Sequence, residues 1–140
     1  MTEFISEIKT IPCENRIVYE TLSDMSNLEK VRNRIPSDKV EDFTFDNNSC
    51  SFSIQPVGKV RFSIAERDPL KTIKLVTDQS PVGVTLWIQL KGTGERETKM
   101  KLTIRADLNP FIKPMISKPL QEGINQIADT LAKIPYETLA

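Results

Sequence analysis

Six short segments between residues 40 and 108 alternate apolar and polar side chains with a period of two. In one of them, Cys50, Phe52 and Ile54 alternate with serines. Such a period places one set of side chains on a buried strand face and the other set in water. Turn-forming residues separate the segments at short intervals, and short connections force neighbouring strands to pair antiparallel. The pattern therefore predicts an antiparallel sheet with one apolar face.

The last part of the chain supplies the cover that an apolar sheet face needs. Between residues 115 and 134 apolar side chains recur at helical spacing, which predicts an amphipathic helix about 30 Å long. The apolar stripe consists of Ile116, Leu120, Ile124, Ile127, Leu131 and Ile134. Pro119 lies inside this segment and predicts a kink or a delayed helix start near that point.

The N-terminal third is predicted to hold one strand and two short helices. Residues 4–11 form the strand, which ends at Pro12, and residues 14–22 carry apolar side chains at helical spacing. A second short helix is predicted to start at Ser26, because Ser26 and Glu29 have the spacing of a capping box.

The order strand, two short helices, six strands and long helix resembles the helix-grip fold of the START and birch-pollen-allergen superfamily, often labelled SRPBCC. The residues that carry the resemblance are the strand that ends at Pro12, the helix that ends in Leu22-Ser23-Asp24, and the final amphipathic helix. Polyketide cyclases, ubiquinone-binding proteins and lipid-transfer domains have this fold. The resemblance implies an α+β fold, with a curved seven-stranded antiparallel sheet wrapped around a long C-terminal helix. Two short helices lie between strands 1 and 2 of that arrangement.

We expect residues 1–140 to form a single helix-grip domain, because a chain of 140 residues fits one domain. The resemblance also implies a cavity between the sheet and the C-terminal helix, whereas the alternation predicts only an apolar face. A packed core is the alternative for most inward positions. The candidate ligand-binding residues are Phe43, Phe45, Phe52, Phe62, Ile64, Leu75, Leu86, Ile88, Met100, Leu102, Ile104, Phe111, Met115, Leu120 and Ile124. Of these, Phe111 and Met115 are predicted to form a lid at the cavity mouth.

Three polar side chains are the candidates for groups inside the cavity: Thr10, Glu41 and Thr77. Glu41 is the only charged one, and by alternation it shares a face with Phe43. Two interpretations of Glu41 stay open. It reaches water near the end of its strand, or it is buried with a raised pKa and orients a ligand.

The sequence contains no histidine, which removes the commonest general base and the commonest metal ligand. The two cysteines, Cys13 and Cys50, are too few for a zinc site or a disulfide framework. We therefore assign no catalytic residue, no metal and no cofactor, and an enzyme is the less favoured interpretation. Sparse cysteine and the absence of a signal-peptide pattern predict a cytoplasmic protein.

Basic and acidic residues number 19 each, so the whole molecule is not predicted to bind polyanions. The strands from Lys59 to Arg105 nevertheless carry more basic than acidic residues, and Trp87 falls on their solvent face. A large aromatic side chain on a polar face is typical of a contact, which predicts a homodimer or a protein partner there. We expect no nucleic-acid partner, because stacking platforms need several aromatic side chains, and no membrane span.

Three functions follow from these observations. The first is binding or transport of a small hydrophobic molecule (a lipid, an isoprenoid or a polyketide-like compound) in the cavity, without catalysis. The second is an enzyme of the polyketide cyclase or aromatase type, which requires the three polar candidates to converge inside the cavity. The third is a protein-interaction domain that uses the outer sheet around Trp87, like the chaperone-activating branch of the superfamily.

Overall fold

The computed structural model describes residues 2–34, 40–54, 58–77 and 83–136, with residues 31–34, 40, 41, 54 and 58 described by their backbone alone. Among these residues, eight strands form one antiparallel sheet. They are β1 (Thr2–Ile5), β2 (Lys9–Ile11), β3 (Val40–Phe45), β4 (Ser49–Ile54), β5 (Gly58–Asp68), β6 (Thr72–Thr77), β7 (Val84–Gly94) and β8 (Glu97–Ala106). The helices are α1 (Asn15–Leu22), a 3-10 segment at Met25–Arg34, and α2 (Lys113–Ala132).

The strands from β3 to β8 follow one another across the sheet, and β1 and β2 both pair with β8 at the far side. The predicted α+β architecture is confirmed, with two short helical segments near the N terminus and a long helix after the last strand. The C-terminal helix begins at Lys113, two residues earlier than predicted, and Pro119 lies inside it. None of the described helices is long and apolar enough to cross a membrane.

The predicted first strand is broken in two at residues 6–8. Ser6 bridges the break: its backbone N–H donates to the carbonyl of Leu102, and its hydroxyl accepts from the Leu102 N–H, both at 2.9 Å. The break shifts the alternation by one position. Phe4 and Ile11 are therefore both buried, although simple alternation places positions 4 and 11 on opposite faces.

A bulge interrupts β3. Glu41 pairs with Ser53 and Thr44 pairs with Ser51, so β3 has one extra residue between these pairs. Asp42 has φ 57°, a left-handed conformation that Asp tolerates better than most residues. Beyond the bulge Phe45 pairs with Cys50, which places Phe45 on the inner face of the sheet.

The core lies between the inner sheet face and the two α-helices. Ile73, Leu75, Met100 and Leu102 on β6 and β8 are almost completely buried, and Val18 of α1 and Ile124 of α2 pack into the same cluster. The main contacts of α2 are with β8, β1 and β2. The 3-10 segment lies against β3 and β4 instead. Its start is capped by Asp24, whose carboxylate accepts from the Ser26 N–H at 3.0 Å, in place of the predicted Ser26 cap.

Candidate functional site

Four phenylalanine side chains form a continuous row on the inner face of β3, β4 and β5. The ring centroids of Phe45 and Phe43 lie 5.9 Å apart, those of Phe43 and Phe52 5.8 Å, and those of Phe52 and Phe62 6.0 Å. These separations are typical of interacting aromatic pairs. We call Phe43, Phe45, Phe52 and Phe62 the phenylalanine row. Phe43 and Phe45 share the face of Phe52 because the turn at residues 46–49 pairs Phe45 with Cys50.

The phenylalanine row is only partly covered. Phe62 is buried, but Phe43, Phe45 and Phe52 remain half-buried. Since α2 packs mainly on β8, β1 and β2, it leaves this side of the sheet with less cover. The arrangement presents aromatic surface that can contact a small apolar molecule.

The other predicted inward residues lie on the same sheet face or on α2, and they fall into two groups. Six are buried in the core and are already packed: Leu75, Ile88, Met100, Leu102, Ile104 and Ile124. Three are half-buried against the core: Ile64, Leu86 and Leu120. The second group resembles the phenylalanine row in its partial exposure.

Phe111 and Met115 do not form a lid. Their relative exposures are 88% and 62%, so both side chains project into solvent. The physical reason is a tight turn before α2, in which the side-chain oxygen of Asn109 accepts from the N–H groups of Phe111 at 2.9 Å and Ile112 at 3.1 Å. This turn points Ile112 and Ile116 toward the protein and leaves Phe111 outside.

The three polar candidates do not converge in the described residues. Thr10 is exposed on the outer face, where its hydroxyl accepts from the Lys99 ammonium, because the break at residues 6–8 reverses the facing of β2. Thr77 lies on the inner face at the end of β6, and its hydroxyl accepts from the Val84 N–H at 3.0 Å. The side chain of Glu41 lies outside the described residues, and its backbone pairs with Ser53.

Cys50 lies on the inner face opposite Phe62 and Phe45. Burial raises the pKa of its thiol to about 12, with a smaller contribution from the nearby Asp46 carboxylate. A thiol with that pKa is protonated at neutral pH and is a poor nucleophile. Within the described part of the chain, no three Asp, Glu or Cys side chains cluster in a way that could hold a metal ion.

The outer sheet face has a separate feature around Trp87. A shallow depression of about 220 Å³ is lined by Glu3, Ile5, Trp87, Gln89, Lys101, Thr103 and Arg105. The Arg105 guanidinium lies 5.2 Å from the Trp87 ring centroid and the Lys74 ammonium 5.9 Å from it, both within range of cation–π attraction. Arg105 also forms an ion pair with Glu3 at 3.0 Å.

The second short helix predicted to start at Ser26 is the 3-10 segment, and it lies beside β3 and β4. The bulge in β3, with its left-handed Asp42, was not predicted from sequence. A signal for the bulge exists in the sequence: Val40, Phe43 and Phe45 fit one face only if an extra residue interrupts the alternation.

No protein-family model matches the sequence, and a search of curated proteins found no match. Solved structures do match over most of the chain. A START superfamily protein from Mycobacterium smegmatis superposes with a TM-score of 0.72 at 12% identity, covering 99% of both chains. Norcoclaurine synthase from Thalictrum flavum, solved in complex with dopamine and hydroxybenzaldehyde, gives a TM-score of 0.70 at 12% identity over 97% of this chain and 88% of that one. A conserved protein from Geobacillus kaustophilus gives 0.67 at 15% identity, covering 94% and 93% of the two chains.

These likenesses define the fold. The chain has the helix-grip fold of the START and birch-pollen-allergen superfamily, as the resemblance implied. At identities of 12–15% the comparison concerns the backbone arrangement alone.

Proposed function

We propose that this protein binds a small hydrophobic molecule, such as a lipid, an isoprenoid or a polyketide-like compound, between the inner sheet face and α2. The molecule contacts the phenylalanine row and the half-buried Ile64, Leu86 and Leu120. The protein acts as a carrier or binding module and performs no chemistry on the molecule.

The observation that carries this proposal is the partial exposure of three adjacent phenylalanine side chains on the inner sheet face. Solvated aromatic side chains in the interior of a fold are costly, because each one forgoes part of the roughly 1.5–3 kcal/mol of full burial. An apolar ligand in contact with them recovers that free energy. Ligand sites are typically concave and lined mainly by apolar and aromatic side chains.

The chemistry of the described inner face favours binding over catalysis. Thr10 is exposed on the outer face, and Thr77 already accepts a backbone hydrogen bond. The raised pKa of Cys50 leaves its thiol protonated. Nothing among the described residues assembles a general base and a nucleophile, so no observation favours the cyclase or aromatase alternative.

A second candidate function is a protein contact on the outer sheet face. The depression around Trp87 favours it, since aromatic and Arg side chains are enriched at protein interfaces and the Trp87 ring lies close to Arg105 and Lys74. The test is the molecular mass in solution of the wild type and Trp87→Ala. A smaller assembly in the variant supports the contact, and a monomer in both argues against self-association.

Ligand binding is tested with the purified protein and a fluorescent fatty-acid analogue. We expect saturable binding by the wild type, and about tenfold weaker binding by Phe43→Ser, because the variant removes one ring of the phenylalanine row. Ile8→Ser is the matched control, since Ile8 is apolar but 67% exposed beside β2. Native mass spectrometry of the freshly purified wild type additionally shows whether an apolar molecule co-purifies.

Equal affinities of Phe43→Ser and the wild type would remove the phenylalanine row from the proposal. Absence of saturable binding by the wild type, together with a bare protein mass, would overturn the carrier function itself.

A further inference from the structure

The turn between β8 and α2 presents two apolar side chains to water. Phe111 is the most exposed large apolar side chain described in the molecule, and Met115 follows it four residues later. Phe111 lies in the turn before α2 and Met115 in the first turn of α2, so both are exposed at the same end of the helix. The pair forms a small protruding apolar tip, which we call the Phe111 tip (Phe111 and Met115).

The direction of the Phe111 tip is set by the backbone. The Asn109 side chain accepts two N–H groups of the turn, and the Lys113 N–H donates to the Asn109 carbonyl at 3.0 Å. Pro110 and Pro114 flank the turn, and each restricts the backbone further. Leu108 is half-buried against the core and Ile116 is 4% exposed, so the segment is anchored on both sides of Phe111. These contacts fix the turn and direct the Phe111 ring away from the protein. The ring is therefore available to enter an apolar environment outside the protein.

The charged residues nearest to the Phe111 tip along the chain are lysines. Lys113 and Lys118 are exposed, the first turn of α2 carries no acidic residue, and neither lysine has an ion-pair partner among the described residues. Lys118 lies three residues after Met115 and shares its side of the helix. Long lysine side chains can run beside an apolar group while their ammonium groups stay in water.

An apolar tip with cationic neighbours is complementary to the surface of an anionic bilayer. Acyl chains accept single inserted side chains, and anionic headgroups attract nearby lysines. A stable protein interface needs roughly 800 Å² on each partner, which two side chains do not provide. We propose that the Phe111 tip docks the protein reversibly on a membrane that contains anionic phospholipid. This proposal rests on the exposed tip and stands whether or not the inner face binds a ligand.

The test is co-sedimentation of the full-length protein with vesicles of phosphatidylcholine alone or mixed with phosphatidylglycerol. We expect the wild type to sediment with the mixed vesicles and to be released by added salt, because screening weakens the lysine contribution. Phe111→Ser is expected to weaken partitioning by about tenfold, and Lys118→Glu by about fivefold or more. The matched controls are Ile8→Ser and Lys91→Glu, which change an exposed apolar side chain and an exposed lysine elsewhere.

Binding of Phe111→Ser at the wild-type level would overturn the proposal, as would a wild type that sediments with neither vesicle. A wild-type dimer that becomes a monomer in Phe111→Ser, without vesicle binding, would assign the tip to a protein contact instead. The fatty-acid titration described above contains no vesicles, so it succeeds or fails independently of this assay.

Discussion

The β8 side and the β3 side of the sheet bury their inner faces to different degrees. On β8, Met100 and Leu102 have exposures of 0%, and α2 packs directly over this side. On β3 and β4, Phe43 and Phe52 are only half-buried, although their side chains are larger than most in the core. The same apolar face thus serves as a packed core on one side and as accessible surface on the other.

Simple dimensions explain the difference. Seven strands side by side span roughly 30 Å, at about 4.8 Å between neighbours, whereas one helix with its side chains is about 10–12 Å wide. A single helix therefore covers only part of such a sheet. In this protein α2 lies toward β8, β1 and β2, and the phenylalanine row lies beyond it. The comparison predicts that substitutions on the β8 side change stability, and that substitutions on the β3 side change ligand binding.

The largest effect on stability is expected for Leu102→Ala on the β8 side. Leu102 is fully buried, and a Leu-to-Ala change at such a position costs about 2–5 kcal/mol through lost burial and the remaining cavity. Urea unfolding followed by circular dichroism measures the change. A loss below about 1 kcal/mol would show that this side is less tightly packed than the structure indicates.

Phe52→Ala on the β3 side is expected to cost less, about 1–2 kcal/mol, because the half-buried ring gives up only part of its burial free energy. Its binding of the fluorescent fatty-acid analogue should fall by about tenfold. Unfolding and titration of the same preparation give both values. If Phe52→Ala were as destabilising as Leu102→Ala with unchanged binding, the two sides would not differ in role.

A smaller effect is expected for Ser6→Ala, which affects the break between β1 and β2. The variant removes the hydroxyl that accepts the hydrogen bond of the buried Leu102 N–H at 2.9 Å, at a cost of about 1 kcal/mol. Urea unfolding checks the stability. Amide hydrogen exchange at Leu102 should accelerate in the variant, and unchanged exchange would contradict the bridging role of Ser6.

The smallest effect concerns Asp46 in the turn before β4. The Ser49 hydroxyl and the Asn48 N–H donate to its carboxylate, and these hydrogen bonds hold the pKa of Asp46 below its ordinary value. A depressed pKa in the folded state contributes stability at neutral pH, and this contribution is lost as the pH falls below about 4 through the folded-state pKa.

The thermal midpoint of Asp46→Asn should therefore lie slightly below that of the wild type at neutral pH, and the difference should shrink in acid. The pKa of Asp129 is also lowered, chiefly by its hydrogen bond with Lys133. Asp46→Asn therefore keeps part of the acid sensitivity of the wild type. A constant difference between the two midpoints across this pH range would contradict the prediction.

Predictions from sequence succeeded where the side-chain period is uninterrupted. Met100, Leu102 and Ile104 alternate along β8 and are all buried, as their spacing predicted. The predictions failed at interruptions. The break at residues 6–8 moved Thr10 to the outer face, because one irregular step reverses every side chain that follows it. Phe111 was predicted to be a lid, but hydrogen bonds to Asn109 direct it into solvent.

Local periodicity was sufficient to identify the strands, the apolar face and the covering helix, because each depends on residues close together in the chain. The position of α2 depends on distant residues. The Gln121 side chain donates to the carbonyl of Ile5, the Glu7 N–H donates to the Asn125 side chain, and Lys9 pairs with Asp129. These contacts join residues more than 110 positions apart and hold α2 beside β1 and β2. Tertiary structure alone therefore decided which part of the apolar face is packed and which part, with its phenylalanine row, stays accessible.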